Sequence, residues 1–185
     1  MQAAKPGPSS PTRTAVTVGA GVDHILADPT VPNIPIVRVV DDNLTQHMTD
    51  YVLWRVLDHH RQGMLYRAQQ ARKIWREPPQ RPANDVSVGI MGLGQLGRAA
   101  AQALLAAGFR VNGWSRKEQV VPDVATFSGD KGLIPFLNAT DILVVLLPLT
   151  PQTEGVVDYR LLGELRRRNG LGGAVLINAG RGKLQ

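Results

Sequence analysis

Cysteine is absent from this 185-residue chain, and so is any long hydrophobic run. Without cysteine there is no disulfide framework, no Cys-ligated zinc or iron–sulfur site and no thiol nucleophile. No apolar run approaches the ~20 residues of a membrane span, and the first residues lack the apolar segment of a secretory signal. We therefore expect a cytoplasmic protein with no membrane anchor and no metal site.

The composition is that of a globular protein with an excess of positive charge. Hydrophobic residues make up 43% and charged residues 19%, a balance that disordered chains lack. The net charge of +6 is dispersed, and the only dense basic run is 166–168, which we expect to be solvated at a helix end. No basic patch is interleaved with aromatic residues and no recognition helix is evident. The charge therefore favours anionic small molecules, and nucleic acid is not predicted as a partner.

Proline marks the best boundary in the chain. Residues 1–13 are predicted to be a disordered leader, and residues 14–76 a first domain with strands at 14–19 and 35–40. A helix is predicted from Leu44 to about Trp75, with Gly63 as a weak point inside it. The proline-rich segment 77–85 cannot continue that helix and is predicted to be a linker.

Residues 86–185 alternate between strand and helix patterns. Strands are predicted at 86–91, 109–114, 124–127, 141–148 and 174–180. Helices are predicted after the glycine turn within 92–108, where Gly108 is a C-cap candidate, and at 132–140 and 158–168. This alternation predicts the α/β class, with a doubly wound parallel sheet of the Rossmann type.

A glycine motif joins the first of these strands to its helix. Gly92, Gly94 and Gly97 form G-x-G-x-x-G, with a strand before and a helix after, as dinucleotide sites require. The first glycine permits the tight turn, the second lets a diphosphate approach the backbone, and the third allows close helix–strand packing. The N–H groups of Gly94, Gln95, Leu96 and Gly97 are predicted to face the phosphates. A glycine turn with no ligand is the alternative.

The end of the next strand indicates which dinucleotide binds. An NAD site usually has Asp or Glu there, which accepts hydrogen bonds from the ribose 2′-hydroxyl. This chain has Ser115, Arg116 and Lys117 instead, and a hydroxyl and two cations suit a 2′-phosphate. NADP is therefore favoured over NAD, although an ordinary basic surface turn would have the same composition.

Several motifs together resemble a known family. They are GAGVDH (19–24), the GLGQLG turn, Trp114-Ser115-Arg116, LLPLTPQTEG (146–155) and INAGRG (177–182). The chain resembles the D-isomer-specific 2-hydroxyacid dehydrogenases from about Val16 to Gly182, and is most similar to their glyoxylate/hydroxypyruvate reductase A branch. The resemblance implies that residues 14–76 are part of a flavodoxin-like substrate domain and that residues 86–185 are an incomplete cofactor domain.

The resemblance also implies a reaction and residue roles. It implies that NADPH reduces a 2-oxo acid such as glyoxylate or hydroxypyruvate, and that Arg181 is the catalytic arginine holding the substrate's carboxylate and carbonyl. Ala20 and Gly21 match the turn whose N–H groups bind the substrate carboxylate. The remaining implied cofactor-site residues are Leu147, Pro148, Thr153, Asn178, Ala179 and Gly180.

The chain departs from the family pattern at both ends. The family's acid/base glutamate and histidine follow the NAGRG arginine, and this sequence ends at Gln185 without a match for them. His24, His47, His59 and His60 precede the cofactor domain and do not replace them. We therefore expect a fragment of a longer reductase that turns over little or nothing. A non-catalytic dinucleotide-binding regulator or redox sensor is the alternative, because the acid/base pair is missing.

The resemblance implies a homodimer as well. In the family, the region of the long helix contributes to a dimer interface, and the apolar side chains available for one are Tyr51, Trp54, Met64, Tyr66 and Trp75. The alternative is that these side chains pack only on their own domain.

Overall fold

The computed structural model describes residues 14–17, 21–22, 25, 28–38, 41–166 and 173–185, and packing divides the chain between Asp41 and Asp42. The first unit contains two parallel strands, β1 (Ala15–Thr17) and β2 (Ile36–Arg38). The N–H of Ala15 donates to the carbonyl of Pro35 at 2.9 Å. Both strands lie inside the predicted ranges, whose ends at 18–19 and 39–40 are outside the described residues.

The second unit begins with two helices where the sequence predicts one. Helix α1 spans Asp42–His60 and helix α2 spans Gly63–Ala71. The break falls at Gln62, whose φ of 55° is left-handed and interrupts the helix. Arg67 of α2 donates to both carboxylate oxygens of Asp58 in α1, at 2.8 and 3.0 Å. The prediction of one helix to Trp75 is therefore wrong, because a local ion pair stabilises the turn between two.

A parallel sheet of five strands follows. Its members are β3 (Ser87–Met91), β4 (Arg110–Ser115), β5 (Ala125–Ser128), β6 (Ile142–Val145) and β7 (Val175–Asn178). The strand order is β5-β4-β3-β6-β7, so the winding reverses between β3 and β6. Each strand overlaps its predicted range. The doubly wound parallel sheet is confirmed, and ligands in such sheets bind at the carboxyl ends of the strands where the order reverses.

Helices α3 (Gln95–Ala106), α4 (Gly129–Asn138) and α5 (Tyr159–Gly163) connect these strands. Apolar side chains fill both faces of the sheet. One cluster joins α1 and α3 to the sheet, and the other joins α4 and α5 to it. All four residues of β6 are buried, as predicted for a strand covered on both sides. None of the helices in the described ranges has the length and apolar character that a bilayer crossing requires.

Helix α3 ends at the predicted glycine. Gly108 has a φ of 87°, and its N–H donates to the carbonyl of Leu105 at 2.9 Å. The next N–H, from Phe109, donates to the carbonyl of Leu104 at 3.1 Å. These two bonds form a Schellman motif, which satisfies the last carbonyls of the helix and directs the chain into β4.

The last predicted helix is much shorter in the structure. Asp158 accepts a hydrogen bond from the N–H of Leu161 at 2.8 Å and so begins α5, but the helix ends at Gly163. Arg166 then donates through Nε to the buried carboxylate of Asp141 at 2.7 Å, and that carboxylate also accepts from the N–H of Ser87 at 2.9 Å. The expectation of a solvated Arg166 is therefore wrong. Residues 167 and 168 lie outside the described residues.

Packing groups α1 and α2 with the five-stranded sheet, whereas the sequence predicts that they belong to a first domain over residues 14–76. Residues 83–85 form a short 3₁₀ turn before β3. The assignment of residues 14–76 to a substrate domain concerns function and stays a prediction.

His60, at the end of α1, is a buried histidine with an unsatisfied nitrogen. Its ring packs edge-on against Phe109 at a centroid distance of 5.1 Å, and its Nδ1 has no hydrogen-bond partner among the described residues. Burial lowers the pKa of His60, and the nearby charges of Arg61 and Arg81 lower it further. The folded protein therefore prefers the neutral ring.

We expect the free energy of unfolding to fall on acidification because of this histidine. As the pH drops below about 6.5, the unfolded chain takes up a proton that folded His60 does not bind, until the pH reaches the lowered folded pKa. The variant His60→Phe should lose part of this pH dependence in urea unfolding, whereas His47→Phe at an exposed site should keep it. Burial also lowers the pKa of His59, so the loss should be partial. An unchanged profile in His60→Phe would contradict the assignment.

Candidate functional site

The glycine turn after β3 has a different geometric requirement at each glycine. Gly92 has a φ of 113°, and a Cβ there would lie 2.9 Å from the carbonyl oxygen of Leu146. A Cβ at Gly97 would lie 1.9 Å from the carbonyl oxygen of Gly92, so only glycine lets α3 pack this close to the turn. At Gly94 a Cβ would meet no atom within 4 Å. The first and third glycines are thus required by the fold, and the second faces open space.

That open space lies at the start of α3. The first N–H groups of a helix have no partner within the helix, and they carry the positive end of its dipole. Gly94 provides no side chain to cap them, and the Gln95 side chain turns toward α1, where its Nε2 donates to the hydroxyl of Thr45 at 3.3 Å. The residues present therefore fit a diphosphate, which the backbone of this turn would bind.

The turn after β4 presents two cations. Arg116 and Lys117 are exposed, and the Ser115 hydroxyl donates to the carbonyl of Lys117 at 2.7 Å, which tightens the turn. The preceding residue, Trp114, is buried and donates through Nε1 to the carbonyl of Gly129 at 3.0 Å. The turn is thereby fixed to the end of β5. The guanidinium and the ammonium suit a phosphate monoester, and the acidic residue that an NAD site has at the end of this strand is replaced by Ser115 and Arg116, although the exposed Glu118 follows Lys117.

The segment after β6 forms a loop closed by its own side chains. The N–H of Leu146 donates to the carbonyl of Met91 at 2.9 Å and keeps the loop beside the glycine turn. The hydroxyl of Thr153 accepts from the N–H of Thr150 at 2.8 Å and donates to the carbonyl of Pro148 at 2.7 Å. Of the residues predicted to line the cofactor, Leu147 and Thr153 are half-buried and Pro148 is exposed.

The turn that carries Arg181 follows β7. The Asn178 side chain organises it, since its Oδ1 accepts from the N–H of Gly180 at 3.1 Å and its Nδ2 donates to the carbonyl of Arg181 at 3.0 Å. A Cβ at Gly180 would lie 2.8 Å from the carbonyl oxygen of Leu147, so this turn packs directly on the loop after β6. Arg181 itself is exposed, and the half-buried Ala179 continues the sheet by donating to the carbonyl of Val145 at 3.0 Å.

The parallel register brings four predicted segments to one edge. The glycine turn, residues 115–117, the loop 146–153 and residues 178–181 all follow the carboxyl ends of neighbouring strands. The remaining predicted site residues lie in the first unit, where Gly21 is half-buried and Ala20 lies outside the described residues. His24 also lies outside them. Within the described ranges, no three His, Asp or Glu side chains are grouped as a metal ion would require.

Arg98 is a residue at this edge that sequence reasoning missed. It lies in the first turn of α3 and donates to the carbonyl of Leu93 at 3.2 Å and to the carbonyl of Val120 at 3.1 Å. It also bonds to the side-chain oxygen of Gln119. The positive end of the helix dipole disfavours a cation near a helix N-terminus. An arginine at this position of the sequence therefore indicated that nearby acceptors stabilise its charge.

The fold and its glycine turn define a Rossmann NAD-binding domain. The chain belongs to the D-isomer specific 2-hydroxyacid dehydrogenase family, whose NAD-binding-domain model matches residues 53–185. The resemblance stated from the motifs is therefore confirmed.

Named relatives agree with this family. A glyoxylate/hydroxypyruvate reductase A of Escherichia fergusonii is 34% identical over 176 residues, which are 92% of this chain and 55% of the relative. The NADPH-dependent glyoxylate/hydroxypyruvate reductase of Sinorhizobium meliloti, solved with NADP and sulfate, is 46% identical with a TM-score of 0.90, over 93% of this chain and 54% of that one. A probable 2-hydroxyacid dehydrogenase of Rhizobium etli, solved with NADP, HEPES and L(+)-tartaric acid, is 46% identical with a TM-score of 0.89. The match covers 94% of this chain and 54% of that one. The chain thus spans about half the length of these relatives.

Proposed function

We propose that this chain binds NADPH for the reduction of a small 2-oxo acid, glyoxylate or hydroxypyruvate, to the 2-hydroxy acid. The observation that carries the proposal is the open space over Gly94 at the start of α3, beside the cations that follow β4. The relatives solved with NADP support it, because they share this fold at 46% identity. When bound, the cofactor supplies the hydride.

The two ends of the cofactor are bound by different chemistry in this proposal. The N–H groups of Gly94, Gln95, Leu96 and Gly97 bind the diphosphate, since they are the unpaired donors at the start of a helix. The exposed Arg116 and Lys117 bind the 2′-phosphate, with Arg116 suited to two parallel hydrogen bonds. NADPH should therefore bind at least about tenfold more tightly than NADH, which is ~1.4 kcal/mol.

Substrate binding in the second unit is assigned to Arg181. A guanidinium orients a carboxylate and stabilises the negative charge that develops on the carbonyl oxygen during reduction. Asn178 supports this role by accepting from the N–H of Gly180 and donating to the carbonyl of Arg181. Leu147, Pro148 and Thr153 line the nicotinamide side in the same proposal.

Reduction of a 2-oxo acid needs a proton donor near the carbonyl, and such donors typically contribute about 10²–10⁴-fold to the rate. The four histidines of this sequence, His24, His47, His59 and His60, all precede the glycine turn. A non-catalytic regulator or redox sensor that binds the same cofactor is the second candidate function, and it needs no such donor.

Oxalate binding distinguishes the 2-oxo acid reductase from the non-catalytic regulator or redox sensor. Oxalate mimics a 2-oxo acid and accepts no hydride, so an NADP-saturated chain with a substrate site should bind it in a calorimetric titration. Arg181→Gln should remove that binding, whereas Arg160→Gln, an exposed arginine on α5, should leave it unchanged. A saturated wild-type chain that binds no oxalate would favour the regulator and contradict the reductase.

We also propose that the chain works in the cytoplasm, where NADPH is regenerated.

We propose further that the chain forms a homodimer. The supporting observation is the exposure of large apolar side chains on α1, on α2 and just after α2: Trp54 is 58% exposed, Met64 66% and Trp75 102%. Tyr51 and Tyr66 are exposed on the same two helices. Light scattering should give twice the chain mass, and Trp54→Glu with Met64→Glu should give a monomer. Tyr159→Glu on α5 is the control, and a monomeric wild type would contradict the proposal.

A further inference from the structure

We propose that Arg98 is a positioning residue that sets NADPH selectivity by connecting the glycine turn to the loop after β4. This inference rests on the proposed cofactor site but concerns a residue that does not belong to it. Its guanidinium donates to Leu93, inside the glycine turn, and to Gln119 and Val120, just beyond the two cations.

The loop that Arg98 holds contains the exposed cations. Residues 116–124 form no strand or helix, and Val121 anchors the loop in the core at 5% exposure. Gln102, one turn further along α3, donates to the carbonyl of Pro122 at 3.3 Å. Helix α3 thus holds the far side of the loop at two points, and Arg98 is nearer in sequence to the diphosphate turn.

The geometry gives Arg98 a particular effect on the cofactor. The diphosphate and the 2′-phosphate belong to one ligand, so their two binding segments must stand at a fixed separation. Arg98 bonds to both segments with one planar side chain, which fixes that separation before the ligand arrives. Losing this connection should weaken the contact with the 2′-phosphate more than the contact with the diphosphate, because the diphosphate turn is also held by its packing against Leu146 and Gly97.

Titration of the full chain with NADPH and NADH tests the inference. Arg98→Gln should lower the ratio of NADH to NADPH dissociation constants by about tenfold and change NADH binding by less than about threefold. Arg110→Gln is the matched control, since Arg110 also donates to a carbonyl, that of Asp85 at 2.9 Å, but at the other end of β4. It should leave the ratio unchanged.

Coupling to Arg116 distinguishes positioning from a general loss of stability. In a background with both Arg116→Gln and Lys117→Gln, Arg98→Gln should change the ratio by less than about twofold, because both groups being positioned are gone. If Arg98→Gln fails to fold, Gln119→Ala removes one partner from the loop side and should lower the ratio in the same direction. Equal weakening of both cofactors by every such variant would overturn the inference. A wild-type ratio near one would overturn the cofactor proposal itself.

Discussion

Replacing Gly94 with valine is expected to abolish NADPH binding while leaving the free energy of unfolding nearly unchanged. A Cβ at this position meets no atom of the protein within 4 Å, and the extended backbone of Gly94, with a φ of −72°, accepts a side chain without strain. The same volume is where the proposal places the diphosphate. We expect the dissociation constant to rise at least about 100-fold, which is ~2.7 kcal/mol. Calorimetric titration measures the binding, and urea unfolding measures the stability.

Gly97 provides the matched comparison for this prediction. A Cβ there would lie 1.9 Å from the carbonyl of Gly92, so Gly97→Ala forces α3 away from the turn. Overpacking of this kind typically costs ~1–3 kcal/mol, and stability and binding should fall together. If Gly94→Val bound NADPH normally, or lost stability as Gly97→Ala does, the open space would not be a ligand site.

Reversing the charge at Arg116 is expected to exchange the preferred cofactor. Aspartate at the end of β4 repels a 2′-phosphate and accepts a hydrogen bond from a 2′-hydroxyl. Arg116→Asp should therefore weaken NADPH binding at least about 100-fold and bring NADH to equal or tighter binding. Because Arg116 is exposed, the fold should be unaffected.

Arg160→Asp is the charge control for that experiment. Arg160 is exposed on α5, and the substitution changes the net charge by the same amount. A long-range electrostatic effect would weaken NADPH binding in both variants and would diminish with added salt. Equal NADPH and NADH affinities before and after Arg116→Asp would remove the cofactor assignment.

The segment from β3 to β4 could be predicted from sequence because its determinants are local. Gly92, Gly94 and Gly97 define the turn, and the helix ends through bonds from the N–H groups of Gly108 and Phe109 to carbonyls only three and five positions before each donor. Strong apolar runs located the strands, and their alternation with helices gave the parallel sheet. The same local pattern also predicted the candidate site, because the carboxyl ends of parallel strands share one edge of the sheet.

The errors arose where distant residues decide the local structure. Helix α5 ends earlier than the sequence predicts. The chain that follows it reaches Arg166, which pairs with Asp141, 25 residues earlier in the sequence. Arg98 was missed for the same reason, since its acceptor in the loop, Val120, lies 22 residues further on. Periodicity within a window of one helix does not contain such pairs.

A crystal structure of this chain with NADPH tests the central claim most directly. The account predicts diphosphate oxygens about 3 Å from the backbone nitrogens at the start of α3, above Gly94, with the 2′-phosphate against Arg116. A cofactor bound at another edge of the sheet, or none bound at saturating concentration, would contradict it.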